Sequence, residues 1–272
     1  MIVLNHPQGS EDWLRARIGA CTASRFTDAR GTLKIKSKNG NAGDPNGDAI
    51  KYAWTIAIET IAREPLDDTF VTYAMRRGRE LEPIARQVYE LRTDALVEEV
   101  SLILTDDGRF GYSADGFRDD DGLIEIKCPL ACEKLGNVWA NPDEAHLEYL
   151  DQINGGLWIT GRKYCDLIVY CPWLAPVGKD LFVKRIHRNE EAIEALEADL
   201  VKFMRMVDGF LEVLRSPAKM SGNPKDAAPW GGPDELAKAR PTVVESARSL
   251  PPLNPIPTAT PAARQALPAD IF

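Results

Sequence analysis

The stretch Leu123-Ile-Glu-Ile-Lys-Cys-Pro129 restricts the fold more than any other part of this chain. Apolar and charged residues alternate in it, the signature of a strand whose side chains project to opposite faces in turn. Ile124 and Ile126 then point into a core, and Glu125 and Lys127 share the other face, which the alternation leaves for chemistry. The preceding Asp119-Asp-Asp-Gly122 has the composition of a tight turn, and Ser113-Ala-Asp115-Gly116 stands before it. If that turn closes a regular hairpin, Asp115 lies beside Glu125. Two carboxylates and an ammonium then meet on one hairpin face.

The flanking segments supply the rest of a layered domain. Apolar spacing predicts helices over about 49–63, 76–92, 143–159 and 190–214, with Pro83 early in the second, where its missing amide proton costs least. Apolar or alternating runs predict strands over 97–104, 110–113, 123–128, 164–170 and 181–187. Ser10 can cap a helix that opens with Glu11 and Asp12, and Thr22-Ala-Ser24 is a second helix start. Residues 31–48 mix Gly, Asn and Asp with Lys34, Lys36 and Lys38 and read as a loop or loose hairpin. The fold class that follows is α/β (α+β), a central mixed sheet flanked by helices. One domain is expected over residues 1–215, followed by a disordered, Pro- and Ala-rich tail over 216–272.

Composition narrows the function classes. A net charge of −8 argues against a protein that coats nucleic acid non-specifically, since Lys and Arg supply most of that affinity. A nuclease is compatible with it, because carboxylates that hold cations add negative charge while a local basic lining guides DNA. Cys21, Cys128, Cys132, Cys165 and Cys171 form no compact pairing pattern and read as free thiols of a reducing compartment. No run approaches the roughly 20 apolar residues of a membrane-spanning helix, and the N-terminal residues lack the layout of a secretory signal. A soluble, cytoplasmic protein with no membrane partner is expected.

Mg²⁺ prefers oxygen ligands and usually takes one or two carboxylates, leaving water and phosphate to complete its shell. Asp115 and Glu125 offer that pair, and the backbone carbonyl of Ile126 between Glu125 and Lys127 offers a third protein ligand. Such a cation acidifies a bound water and stabilises charge building on phosphorus. Lys127, beside dications, should have a lowered pKa and either handle that water's proton or stabilise the transition state as an ammonium. The Glu-x-Lys triplet alone is a weak signal. Its strength lies in an ordered set: Glu82 on a helix upstream, Asp115, the turn, Glu125 and Lys127 on an apolar strand, then a helix carrying Gln152.

Taken together these residues resemble the PD-(D/E)XK nuclease superfamily and, within it, the phage lambda exonuclease and YqaJ-type viral recombinase family. The likeness runs through Gln8-Gly-Ser-Glu-Asp-Trp13, Arg17-Ile-Gly-Ala-Cys-Thr-Ala-Ser24, Gly78-Arg-Glu-Leu-Glu82, Ser113-Ala-Asp115-Gly116, Glu125-Ile-Lys-Cys-Pro129 and Tyr149-Leu-Asp-Gln-Ile153. Ala114 replaces the family's proline before the aspartate, a mild departure because that proline shapes a turn and does no chemistry. The resemblance implies a restriction-endonuclease-like core. It also implies that Asp115 and Glu125 bind two Mg²⁺ ions, with Mn²⁺ able to substitute, and that Lys127 is the catalytic lysine. Glu82 would assist through water, and Gln152 would support the site. Arg17, Ser24 and Ser113 would form the pocket for a 5′ phosphate.

The activity implied is 5′ to 3′ digestion of double-stranded DNA ends, leaving 3′ single-stranded overhangs for a single-strand annealing protein in phage-type recombination. Restriction-type members usually lack the Arg17–Ser24 block, which favours the end-digesting branch over an endonuclease acting on internal or branched DNA. A non-catalytic scaffold that binds DNA ends is disfavoured by the intact Asp115, Glu125 and Lys127. Family members often form ring-shaped trimers, so a homo-oligomer is expected. The terminal Ala269-Asp-Ile-Phe272 faintly resembles the tips of bacterial single-strand binding proteins and suggests a docking tag through which the tail contacts such a partner.

Overall fold

The strand that carries Glu125 and Lys127 lies in the middle of a sheet, and the whole domain is arranged around it. The computed structural model describes residues 1–36, 38, 40–66 and 72–217. The expected tail and its tip therefore lie outside the described residues from 218 onward. The chain opens with β1 (Ile2–Leu4), α1 (Glu11–Ala16) and β2 (Cys21–Thr22), then a 3₁₀ turn (Ala23–Arg25) that runs into α2 (Phe26–Ala29). Two long helices follow, α3 (Gly47–Ala62) and α4 (Tyr73–Thr93). Next come β3 (Val97–Glu98), β4 (Leu102–Leu104), β5 (Phe110–Tyr112), β6 (Gly116–Arg118) and β7 (Gly122–Lys127). After α5 (Cys132–Ala140), a 3₁₀ turn (Leu147–Tyr149) leads into α6 (Leu150–Thr160). The last elements are β8 (Tyr164–Tyr170), a 3₁₀ turn (Pro172–Val177), β9 (Leu181–His187) and α7 (Glu190–Arg215).

The strands form two sheets, one ordered β1-β4-β5-β2 and one ordered β3-β6-β7-β8-β9. In the second, β6 pairs antiparallel with β7 (Gly116↔Ile124, Arg118↔Gly122), and β8 pairs parallel with it (Glu125↔Leu167, Lys127↔Val169). A parallel neighbour demands a crossover connection, here through α5 and α6, and such connections cover a sheet face. The strand is accordingly buried on both sides. Ile124 and Ile126 pack with Leu81, Ala85 and Tyr89 of α4. Leu123 and Leu167 pack with Ile153 and Leu157 of α6 and Leu196 and Leu200 of α7. The expected division into a core face and an open chemical face is thus corrected: Glu125 is only 2% exposed, and the site opens at the end of the strand.

The turn joining β6 to β7 holds because Asp119 adopts a left-handed φ of 53°, which Asp tolerates better than most residues. Arg162 pins it by donating to the Asp119 and Gly122 carbonyls at 2.8 and 3.0 Å. Three expectations needed revision, the first being Pro83, which stands in the middle of α4 rather than early in it. The segment 97–104 is two strands in different sheets, β3 and β4, because the chain crosses between sheets at 99–101 and returns at 113–115. At the second crossing a Cβ on Gly116 would stand 2.3 Å from Val97 Cγ1, so only glycine lets β3 lie against the start of β6. The helix expected over 143–159 begins at Leu150 after a 3₁₀ turn, and α5 was not foreseen. Pro142 explains the break, since a proline disfavours helical backbone at the residue before it, and Asn141 leaves the helix with φ −131°.

Of the loop or loose hairpin expected over 31–48, the described part is closed by a bridge between Thr32 and Pro45, and the helix begins at Gly47. On the outer side α7 packs along α3, where Tyr52 stacks on Phe203 and Trp54 on Phe210. Among the described residues no helix is long and apolar enough to cross a membrane.

Candidate active site

Four pieces of chain converge at the C-terminal end of β7: the β5–β6 link with Asp115, the strand itself, the first turn of α6, and α4 passing over the other face. Asp115 Oδ2 accepts a hydrogen bond from the Ile126 amide at 2.6 Å. In a strand the N–H and C=O of one residue leave the same edge, so the Ile126 carbonyl also faces Asp115, beyond Gly116 where the pairing with β6 has ended. Glu125 Oε1 accepts from Lys127 Nζ at 2.7 Å and from Gln152 Nε2 at 2.5 Å. Lys127 also donates to Gln152 Oε1 at 3.0 Å, closing a triangle of three side chains. Glu125 Oε2 accepts from the Tyr112 hydroxyl at 2.9 Å.

The electrostatics follow from crowding. Burial, and then the neighbouring charge of Glu125, raise the carboxyl pKa of Asp115 well above the usual aspartate range. The same two causes raise Glu82. Burial alone would lower Lys127, but Glu125 and Asp115, with a smaller contribution from Glu82, outweigh it and the pKa rises. The lowered value expected from sequence presumed dications, and the protein's own charges act in the opposite sense.

This donor set suits a hard divalent cation. The carboxyl groups of Asp115, Glu125 and Glu82 gather near the Lys127 ammonium, with Arg86 and Arg79 acting on Glu82 as well, and Asp115 and Glu82 are still pushed upward. Among the described residues no three His, Cys, Asp or Glu side chains form a ready-made metal shell. Asp115, Glu125 and the Ile126 carbonyl could hold such a cation, and Glu82 acts on Asp115 through its charge.

Arg17 caps the end of α1, stacks over Trp13 at 4.2 Å and donates to Thr22 Oγ1 at 3.2 Å. With Thr22, Arg25, Tyr52 and Glu59 it lines a cavity of about 310 Å³. Thr22 makes no capping bond with its hydroxyl, and the helical pieces after it are short, which corrects the expected capped helix. Ser24 is exposed on the 3₁₀ turn and Ser113 is half-buried beyond β5. Neither lines the Arg17 cavity.

Sequence reading assigned no role to two tyrosines at the site. Tyr112 is fully buried, and Lys127 Nζ lies 5.3 Å from the centroid of the Tyr149 ring. Tyr149 precedes Gln152 by three residues, a spacing that puts both on one side of a helix start and could have flagged it. Tyr112 had a subtler sign in the paired glycines of α6. A Cβ on Gly156 would stand 2.8 Å from the Tyr112 ring, so the helix approaches closely enough to press the phenol toward Glu125.

The mixed sheet between helices and the Asp, Glu-x-Lys set at one strand end define a restriction-endonuclease-like, PD-(D/E)XK-type core. Residues 12–163 match the model of the YqaJ-like viral recombinase domain, and the chain belongs to that family. Among solved structures it is similar to an alkaline exonuclease, LHK-Exo from Laribacter hongkongensis, at 30% identity and a TM-score of 0.63, covering 75% of this chain and 96% of that one. The same enzyme in complex with dAMP gives a TM-score of 0.64 at the same identity and coverage. A phage related exonuclease from Haemophilus somnus 129PT shares the fold, at 14% identity and a TM-score of 0.57, over 72% of this chain and 96% of that one. A comparison with curated proteins finds no match.

Proposed function

We propose that this chain is a metal-dependent 5′ to 3′ double-strand DNA exonuclease that leaves 3′ single-stranded overhangs for phage-type recombination. The observation that carries the reading is the interlocked Glu125, Lys127 and Gln152 beside Asp115, in a chain whose family relatives include an alkaline exonuclease. That relative's complex with dAMP supports a deoxynucleotide product or substrate.

Asp115, Glu125 and the Ile126 carbonyl would hold Mg²⁺, with two ions serving the reaction and Mn²⁺ able to substitute. When bound, such cations stabilise charge on the phosphoryl group and make water a nucleophile near neutral pH. Lys127 keeps its ammonium because three carboxyls surround it, which suits transition-state stabilisation better than proton abstraction. Gln152 fixes the lysine and Glu125 together through its two amide ends. Arg17 presents a guanidinium to the terminal 5′ phosphate, and the Thr22 hydroxyl holds it in place.

Linear duplex labelled separately at its 5′ and 3′ ends, beside a closed circle, tests the reading. Release of 5′ label as mononucleotide, only with divalent cation and faster from a 5′ phosphate than a 5′ hydroxyl end, is the expected result. Cutting of the closed circle, or release of 3′ label first, overturns it.

A further inference from the structure

Of the described tryptophans, Trp173 alone is exposed, at 55%. It stands on the 3₁₀ turn after β8, which is stitched by Leu174 N–H to the Cys171 carbonyl and Lys179 N–H to the Leu174 carbonyl, both at 3.1 Å. Two prolines, Pro172 and Pro176, further limit that turn's backbone. Beneath the indole lies Arg77, an arginine only 5% exposed, with its guanidinium carbon 4.5 Å from the ring centroid. The same guanidinium donates to the Cys128 carbonyl at 3.2 Å, the residue after Lys127. The ring is thus clamped to the mouth of the site by Arg77, and more than half of the residue is open to solvent.

The surroundings have one chemical character. One turn before Arg77, the exposed Tyr73 carries Arg76 over its ring at 5.6 Å, and Arg79 reaches across the same helix end to lie against Gly9. Apolar partners do not need cations interleaved with aromatic rings. Single-stranded nucleic acid does, because each nucleotide offers a base to stack and a phosphate to neutralise. We infer that Trp173, held from below by Arg77, is a stacking platform for an unpaired nucleobase of the DNA strand engaged at Lys127. The inference rests on the DNA-degrading reading of that site.

The test is a two-by-two comparison of Trp173→Leu and wild type on duplexes with a short single-stranded end, intact or carrying abasic residues in that end. Affinity is measured with divalent cation chelated, so that no strand is cut. Leucine keeps apolar bulk and removes the π-face, and a thermal melt confirms that the variant folds. The wild type is expected to lose about tenfold in affinity for abasic DNA, and Trp173→Leu about tenfold on intact DNA with little further loss on abasic DNA. Trp173→Phe should recover most of the loss. The inference is overturned if Trp173→Leu binds intact DNA like wild type, or if the abasic penalty remains undiminished in the variant. It is also overturned if the variant's only change is a different oligomeric state in sedimentation, which makes the ring a contact between copies. If wild type neither binds nor cuts DNA, the function itself fails, an outcome distinct from these.

Discussion

Asp166 and Glu125 are both nearly sealed from water, one on each face of the β7–β8 pair, and each accepts a hydrogen bond from a tyrosine hydroxyl. Their charge balance is opposite. Asp166 takes both ends of Arg185, at 2.7 and 2.8 Å, and Arg118 at 2.7 Å, so two guanidiniums surround one carboxylate. Burial alone would raise its pKa, but Arg185, Tyr89 and Arg118 outweigh that and hold the carboxyl below the usual range. At the other cluster Lys127 is the cation bonded to Glu125, Arg86 and Arg79 act on Glu82 only through their charge, and Asp115 and Glu82 are pushed upward. A closed ion cluster fastens strands together, whereas one with surplus charge is built to receive something from outside.

Substitutions in the two clusters should separate along that line. The largest effect is expected from Lys127→Ala, which should slow cleavage by about 10²–10⁴-fold in single-turnover assays while leaving cation and DNA binding largely in place. Asp115→Ala should also weaken cation binding measured by calorimetry. Wild-type rates in either variant would dissolve the distinction.

Asp166→Asn should instead lower folding stability by about 3–5 kcal/mol in urea unfolding, because it leaves two half-buried guanidiniums short of a counter-charge around a buried position. Its pH dependence has a definite sign. A carboxyl depressed in the fold contributes stability that is complete above its unfolded pKa of about 3.9 and disappears as pH falls through the folded value. Wild type should therefore lose more stability than the Asn variant between pH 5 and the folded value, and equal acid slopes would count against the assignment.

The smallest effect sharpens the comparison most. Tyr89→Phe and Tyr112→Phe each delete one hydroxyl bonded to a carboxylate, a change of about 1–3 kcal/mol. The first should appear mainly in the unfolding midpoint and the second mainly in the cleavage rate, about tenfold. The same balance of losses in both variants would mean that the clusters do not differ in kind.

Much of this layout was legible in the sequence. The strands β8 and β9 and the helix α7 announce themselves by apolar-rich runs or strong 3.6 periodicity, because each buries much of its surface. Glu125 and Lys127 were readable from alternation, and Asp115 from the short turn that fixes the register. The residues that escaped depend on contacts distant in sequence. Tyr112 looks like any core tyrosine until α6 is laid beside it. Arg77 resembles a solvated helix start, yet it is buried under Trp173, nearly a hundred positions away. The division of 97–104 between two sheets is equally invisible locally, since both halves have ordinary strand composition.

The two ends of the β6–β7 hairpin differ in what they can tolerate. The Asp119–Asp121 tip lies one six-residue strand from the reacting end, a separation of about 20 Å. The 113–115 link, which passes Asp115 from one sheet to the other, has no slack. A fluorophore attached to the exposed side chain of Asp120, which leaves the pinned Asp119 and Gly122 carbonyls in place, can report on the protein from that distance, whereas a single residue added to the link would displace a carboxylate that has to meet Glu125. For anyone adapting this scaffold, the tip is a handle and the link is a ruler.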